Sequence, residues 1–425
     1  MDTTLKIGFI GLGAMGLPMS KNLARAAGVD VTFYDVRPEV LADVSGLGDT
    51  AASVADLVAN VDIVFTVLPA DQQVSSVAAE IGAAGRPGQL YVDFSTIHPE
   101  TINQVASRLA EAGIETVGVA LTRSTAAAQA GELALYMGGP RDWIERLQPA
   151  WDAISTEALV FANAGAAKAM KLINNMVVST IDQLVCESIV LGAKLDVEAA
   201  ETCRALAAGG ADSWALRNHI ERYVLPEDLG PGRFSTLYMA KDVRLCAELA
   251  RTVGLPAFFA GLSRAYYRGS VSHGHGQDYH MIAIRLIEEC ANLDRLSTAP
   301  TPGVADPESG PTIAAGAAAI QTLICLEALA IASRCSLSPA EAGNGMEVGS
   351  GGNQGLRQLI GDDPGPESWT LSSLLAEIEG TMALAEAAEA PAMIFELGRQ
   401  VALSLIDRHG PSAEVTGLVS AAATA

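Results

Sequence analysis

The 425 residues carry 27 Lys and Arg against 49 Asp and Glu, a formal net charge of -22, with 49% hydrophobic and 18% charged residues. That acidic surplus excludes a nucleic-acid partner, which needs clustered Lys and Arg, and the length is too great for one core, so two or three domains are expected. Six scattered cysteines without a CxxC pair, and an N-terminus (MDTTLKIGFIG) that enters a strand at once without a signal peptide, fit a reducing cytoplasm.

Residues 1–164 alternate short β-rich runs (LKIGFIG, VDVTFYD, DIVFTVL, QLYVDFS, IETVGVAL, ELALYMGG) with helical patterns. Such alternation predicts a doubly wound, parallel α/β sheet of Rossmann type. Its first turn, GFIGLGAMG, sets Gly11, Gly13 and Gly16 as GxGxxG, with Ala14 and Met15 inside the motif and a helix following. Glycine is needed first for the tight turn, second so that backbone can approach a pyrophosphate, and third for helix–strand packing; the helix N-terminus then faces the phosphates. Asp35 closes the second strand 19 residues after Gly16, where a carboxylate takes hydrogen bonds from an adenosine ribose. NAD is therefore the expected cofactor, and Arg37, two residues on, leaves NADP open as a receiver of its extra phosphate.

The stretch LTRST (Leu121–Thr125) places Arg123 among the hydroxyls of Thr122, Ser124 and Thr125 after an apolar run. From Ala164 the strand signals stop and helical periodicity takes over. Within MKLINNMVV, Lys171 and Asn175 are four apart and leave a helix on one face, whereas Lys168 and Asn174 fall on others. So apolar a helix leaves little solvated face, and a buried lysine needs a partner or a shifted pKa.

The segment Thr298–Pro311, with four prolines and two glycines, reads as a linker. The chain on its two sides is alike. CESIVLGAKLDVEAAE (Cys186–Glu201) aligns with LEALAIASRCSLSPAE (Leu326–Glu341) at a shift of 140, placing Glu187 on Glu327, and LARTVGLPAFF aligns with LAEAAEAPAMI at a shift of 135. One helical unit duplicated in tandem is the reading. The apolar run Thr312–Ser333 is then a buried helix and not a membrane span. The expected organisation is a dinucleotide-binding domain at 1–164, a helical catalytic domain at 165–297, a linker at 298–311 and a degenerate helical repeat at 312–425.

Taken together, GFIGLGAMGLPMSKNL, VLPADQQV, VDFSTIHPE, AQAGELALYMGG, KLINN and YMAKDVRLC resemble the β-hydroxyacid dehydrogenase family over residues 5 to about 290. That family includes 3-hydroxyisobutyrate dehydrogenase and tartronate semialdehyde reductase and is related to 6-phosphogluconate dehydrogenase, whose helical domain the two tandem units resemble. The resemblance implies that Lys171 is the general acid/base, that Asn175 holds substrate, that Ser95 and Thr96 lie near nicotinamide and substrate, and that Leu68, Pro69, Ser95 and Lys241 line the cofactor. An amine that accepts the hydroxyl proton as hydride leaves the alcohol carbon suits such a reaction.

One departure stands out. Where most of the family has D-A-P-V-S-G-G, this chain has GVALTRS: Gly118 replaces the Asp, and Arg123 and Ser124 replace the glycine pair. The variant is similar to the G-R-T-S loop of sulfolactaldehyde reductase. A guanidinium fork with Thr122 and Ser124 beside it suits a carboxylate or sulfonate. HGHGQDYH, with His273, His275 and His280, corresponds to a family loop ahead of an Asp (here Asp278), so a turn is expected and no metal is assigned. The expected activity is interconversion of a short β-hydroxy acid and its semialdehyde or keto form. Oxidative decarboxylation of a sugar acid and non-catalytic NAD binding are the alternatives. In the repeat alignment Lys171 falls on Pro311 and Lys241 on Ala376, so the second unit lacks both amines and is expected to serve as a built-in dimer partner for the first, self-association of whole chains remaining open.

Overall fold

The computed structural model describes residues 4–294, 296, 306–361 and 369–424, in two units, Met1–Leu172 and Ile173–Ala425. In the first unit the β-rich runs form β1 (Leu5–Ile10), β2 (Val29–Tyr34), β3 (Asp49–Thr50), β4 (Ile63–Thr66), β5 (Leu90–Asp93), β6 (Glu115–Thr122), β7 (Leu133–Gly138) and β8 (Ser155–Phe161), in the order β3-β2-β1-β4-β5-β6-β7-β8. All six expected strands are present. Two were not expected, because β3 is a pair of exposed residues and β8 (STEALVF) is too exposed to show an apolar pattern.

The sheet is not wholly parallel, as the alternation had predicted: β6 and β7 pair antiparallel. Only ten residues separate them, holding the short helix α5 (Thr125–Ala130), fewer than a parallel crossover requires. The remaining helices of this unit are α1 (Gly16–Arg25), α2 (Val54–Asn60), α3 (Asp71–Ala84), α4 (Pro99–Glu111), α6 (Arg141–Arg146) and α7 (Gln148–Ile154). Strand neighbours point to opposite faces, so Val64 and Phe65 join different apolar layers. One layer holds Val64, Leu57, Ile81, Tyr91 and Ile102; in the other the Phe65 ring stacks on Trp151 at 5.9 Å and meets Phe94 edge-on at 5.1 Å. With β1 flanked by β2 on one side and β4 on the other, the chain reverses its direction of growth between β1 and β4. That switch point is where ligands enter open α/β sheets.

Strands end at Phe161 and α8 (Ala164–Lys194) begins where the helical domain was expected; the two units part at Leu172, about two turns inside that helix. The second unit continues with α9 (Ala199–Ala208), α10 (Thr236–Thr252), α11 (Phe258–Ser272), α12 (Ile284–Cys290), α13 (Ser309–Arg334), α14 (Pro339–Val348), α15 (Gln354–Ile360), α16 (Leu371–Ala387), α17 (Met393–His409) and α18 (Val415–Thr424). Because α13 starts at Ser309, the last residues of the expected linker are helical, and Pro311 sits in the first turn, where no backbone N–H is needed for the ladder; residues 298–305 lie outside the described residues. Both α8 and α13 are long and apolar enough to cross a membrane, but each is mostly buried among protein, as core helices are.

The helix bounds recur. Those of α9 and α14 lie 140 residues apart at both ends, and those of α10 and α16 lie 135 apart at both ends. After α8 and α13 the chain turns through left-handed residues, Asp196 (φ 60°) and Ser336 (φ 62°), again 140 apart.

Candidate active site

The glycine turn after β1 has the three properties its sequence demanded. Gly11 has φ +98°, and a Cβ there would lie 2.3 Å from the Val67 carbonyl oxygen. A Cβ on Gly16 would lie 1.9 Å from the Gly11 carbonyl oxygen, whereas one on Gly13 would meet nothing within 4 Å. The first and third glycines thus close the turn onto the sheet and helix, and the second leaves the open approach that a pyrophosphate needs. Ala14 and Met15 complete the turn into α1, whose first residue is Gly16.

Asp35, at the end of β2, accepts from the Leu12 backbone N–H at 2.7 Å, which ties the glycine turn to the second strand. Its other contacts come from Arg37: backbone N–H at 2.9 Å, Nε at 3.1 Å and Nη2 at 3.3 Å. Burial pushes this carboxyl up, but the bonds from Arg37 and Leu12 outweigh it and hold the group below its ordinary value, so it is a carboxylate at neutral pH. The residues present therefore fit an adenosine ribose, with Arg37 already spent on the acid.

Leu68 and Pro69 follow β4, and Ser95 and Thr96 follow β5, at the same C-terminal edge of the sheet as Gly11 and Asp35. Ser95 is locked: its Oγ accepts from Leu68 N–H at 2.8 Å and donates to Asp93 Oδ2 at 2.8 Å. Asp93 also takes hydrogen bonds from Thr66 Oγ1 (2.8 Å) and Tyr91 (3.3 Å).

The centre of this network was not expected from sequence. Lys168, only 1% exposed, reaches from α8 to Asp93 Oδ1 and the Asp93 carbonyl at 2.8 Å and to the carbonyls of Ser95 and Val119 at 2.7 Å. Helical spacing says of it only that it lies on another face from Lys171. The signal was its setting, GAAKAM, in which a lysine has no solvated side and must find a carboxylate. Its position orients the β5 loop that carries Ser95 and Thr96.

The LTRST stretch departs from expectation. Thr122 belongs to β6, is buried, and its hydroxyl hydrogen-bonds the Tyr136 phenol in the sheet, so it does not offer itself to a substrate. Ser124 caps α5. Arg123 adopts φ +78°, a left-handed conformation where the family has glycine, and its guanidinium bonds the Glu132 carbonyl (2.7 Å), Thr156 Oγ1 (2.9 Å) and Glu157 Oε2 (2.7 Å). The fork already holds an anion, and it belongs to β8.

Lys171 is half-buried, one turn beyond Lys168 on α8. In the second unit Asn175 Nδ2 donates to Asp242 Oδ2 at 2.7 Å, which fixes the amide, and Lys241 lies 3.7 Å from the other oxygen of the same carboxylate. Asn174 accepts from the backbone N–H groups of Ser350 (3.0 Å) and Gly351 (2.9 Å), anchoring α8 to the segment after α14. Asp242 and Asn174 were not singled out as site residues; each could have been suspected from its place beside one, Lys241 and Asn175 respectively. Of HGHGQDYH, His275 pairs with Asp278 at 2.8 Å and His273 with the Gly269 carbonyl, within the expected turn, while His280 is buried apart from them.

Comparison with known proteins identifies the family. Residues 6–165 match the family model of the NAD-binding domain of 6-phosphogluconate dehydrogenase, and residues 165–287 match the NAD-binding domain of NADP-dependent 3-hydroxyisobutyrate dehydrogenase. The 2-(hydroxymethyl)glutarate dehydrogenase of Eubacterium barkeri is 29% identical over 297 residues, 69% of this chain and 98% of that one. The NAD-dependent L-serine dehydrogenase of Pseudomonas aeruginosa is 27% identical over 67% of this chain and 98% of its own length. Among solved structures, the 3-hydroxyisobutyrate dehydrogenase of Mycobacterium tuberculosis with L-serine superposes with a TM-score of 0.63 at 27% identity, covering 67% of this chain and 99% of that one. Two consecutive family models, a glycine turn answered by Asp35 and the KLINN helix place the chain in the β-hydroxyacid dehydrogenase family, NAD(P)-dependent enzymes that act on CH–OH groups.

Proposed function

We infer that the protein interconverts a short β-hydroxy acid, carboxylate or sulfonate, and its semialdehyde or keto form, with NAD as the preferred cofactor and Lys171 moving the hydroxyl proton. The observation that carries this reading is the geometry of α8: one helical turn separates half-buried Lys171 from Asn175, whose amide Asp242 holds in place. NAD, when bound, supplies the hydride acceptor. In oxidation a neutral Lys171 takes the hydroxyl proton, and in reduction its ammonium returns it. Ser95, held by Leu68 and Asp93, sits at the sheet edge with its hydroxyl oriented, and Asn175 presents a fixed amide to the substrate.

The names of the relatives narrow the class. Hydroxymethylglutarate, hydroxyisobutyrate and L-serine each carry a hydroxyl on the carbon β to a carboxylate. Arg123 is the group for recognising that anion, in competition with Glu157. Asp35, a carboxylate already bonded by Arg37, favours NAD because it repels a ribose phosphate. We place the enzyme in the cytoplasm.

Residues 309–424 serve as an internal partner of the first helical set. Recurring helix bounds support a tandem duplication, and so does the antiparallel bridge between Ser213 and Asn353, positions equivalent under the shift of 140. Equivalent residues meet each other only beside a two-fold axis. Removing residues 300–425 should leave insoluble or inactive protein, and a fully active truncated enzyme would overturn this arrangement.

A screen of small hydroxy acids and hydroxysulfonates with NAD and NADP, read at the nicotinamide absorbance, identifies the substrate. Lys171→Ala should then lower kcat by orders of magnitude while NAD still binds. Equal turnover in both forms removes Lys171 from the reaction, and carbon dioxide release would make the enzyme a decarboxylase.

A further inference from the structure

Three side chains far apart in sequence converge inside the helical unit: Asp182 on α8, His219 on the π-helical stretch Leu216–Val224, and His280 at the head of the 3-10 turn His280–Ala283. Their donor atoms all lie within 4.8 Å of one another. His219 Nδ1 is 2.8 and 3.0 Å from the two Asp182 oxygens, and His280 Nδ1 is 3.8 Å from Oδ2. Asp182 and His280 are each about 1% exposed. Among the described residues His280 Nδ1 has no hydrogen-bond partner. A polar atom buried without a partner is costly and calls for a reason. The π-helical turn that carries His219 is itself a rare conformation, frequent at functional sites.

We propose that Asp182, His219 and His280 form a buried structural site for a divalent transition cation of the zinc class. Two imidazole nitrogens and one carboxylate suit zinc, cobalt or nickel, and are too rich in nitrogen for calcium or magnesium. A tetrahedral zinc with bonds of about 2.0–2.2 Å sets its donors about 3.3 Å apart. The separations of 2.8 and 3.8 Å fall on either side of that value, so shifts of about half an ångström would seat the ion. Cys186, one turn along α8 from Asp182, lines a pocket with Asp182 and His280 but stands outside the cluster, so three protein donors hold the ion and the fourth position goes to water. The Asp182 carboxylate offsets one of the ion's two charges, which lowers the penalty of burying it. The ion would pin α8 to the two connecting segments that hold His219 and His280.

No spacing in the sequence reveals this set, since its members are separated by dozens of residues and the visible histidine cluster, HGHGQDYH, contributes only His280. The test uses the untagged full chain carrying His273→Asn and His275→Asn, stripped with chelator and titrated with cobalt(II) under reducing conditions. One cobalt per chain should bind with the intense visible bands of a four-coordinate ion, and proton NMR should show two exchangeable, paramagnetically shifted imidazole N–H resonances. Asp182→Asn and His280→Gln should each abolish those bands. Absence of tight binding to the folded background protein, or bands that survive both substitutions, would overturn the site. Should the substituted chains fail to fold, the resonance count decides alone: two supports the site, and fewer overturns it.

Discussion

Glu187 and Glu327 make the same contact in opposite directions. Glu187 on α8 accepts from the backbone N–H groups of Met393 (2.6 Å) and Ile394 (2.8 Å) at the head of α17, and Glu327 on α13 accepts from Phe258 (2.8 Å), Phe259 and Ala260 (both 3.1 Å) at the head of α11. Both helices begin after an alanine that cannot cap them, so each takes its cap from a glutamate of the other helical set. A mutual exchange of this kind is what the proposed internal two-fold arrangement requires.

That exchange makes stability depend on pH. Burial pushes both carboxyls up to about 7 from 4.5, against the hydrogen bonds that lower them. A group with a raised folded pKa binds more protons folded than unfolded, so stability should fall as pH climbs from 4.5 through about 7, by up to about 3 kcal/mol for each site. Tyr266 faces Glu187, and Cys246 is the titratable neighbour of Glu327; both thiol and phenol stay neutral across this window because burial raises them. Melting temperature followed against pH should decline, and Glu187→Gln with Glu327→Gln should flatten the curve. A profile identical in the double variant would remove the glutamates from the account.

The Lys168–Asp93 pair should behave as a unit. Either Lys168→Met or Asp93→Asn leaves its partner's charge buried without a counter-charge, at a cost of about 3–5 kcal/mol in denaturant unfolding. The double variant should recover a large part of the loss. Additive losses would mean that the two groups do not depend on each other.

Much of the fold was legible because it rests on local pattern. GxGxxG, the β-rich runs and the apolar length of α8 each dictate an element from neighbouring residues alone. The features that escaped were set by distant partners. Nothing near Lys168 says that the Asp93 carboxylate and three carbonyls await it across 49 to 75 positions, and nothing near Arg123 announces Glu157 on β8, a strand itself too exposed to recognise. The antiparallel turn from β6 to β7 was legible in principle, since ten residues cannot make a parallel crossover.

Arg123 should reveal its role through Glu157. The pair is largely exposed, worth at most about 1 kcal/mol, and the left-handed backbone at Arg123 costs about as much, so Arg123→Gly should leave stability nearly unchanged. If the guanidinium binds substrate, Glu157→Gln should free the fork and lower KM for an anionic hydroxy acid, while Arg123→Gly raises it. KM values indifferent to both changes would leave Arg123 a structural residue of the loop.

Cofactor choice should turn on Asp35. Asp35→Ser removes the charge that faces a ribose phosphate and releases Arg37 from its three contacts, so the ratio of kcat/KM for NADP to that for NAD should rise by about tenfold or more. Part of the NAD activity should be lost as well, because Leu12 N–H loses its acceptor and the glycine turn loosens. An unchanged ratio would place the adenosine ribose elsewhere.

The glycine turn separates binding from folding within a few residues. A methyl added at Gly13 would have no neighbour within 4 Å, so Gly13→Ala should fold with an unaltered melting temperature. The same methyl occupies the approach to the pyrophosphate, and affinity for NAD should fall by about tenfold or more, read as quenching of intrinsic fluorescence or as KM. Gly16→Ala meets the Gly11 carbonyl oxygen at 1.9 Å, backbone against side chain, where neither can yield without opening the turn from the helix. It should lose stability and cofactor together. Should Gly13→Ala bind NAD as tightly as the parent, the dinucleotide does not cross this turn, and the reading of the sheet edge as the cofactor site fails with it.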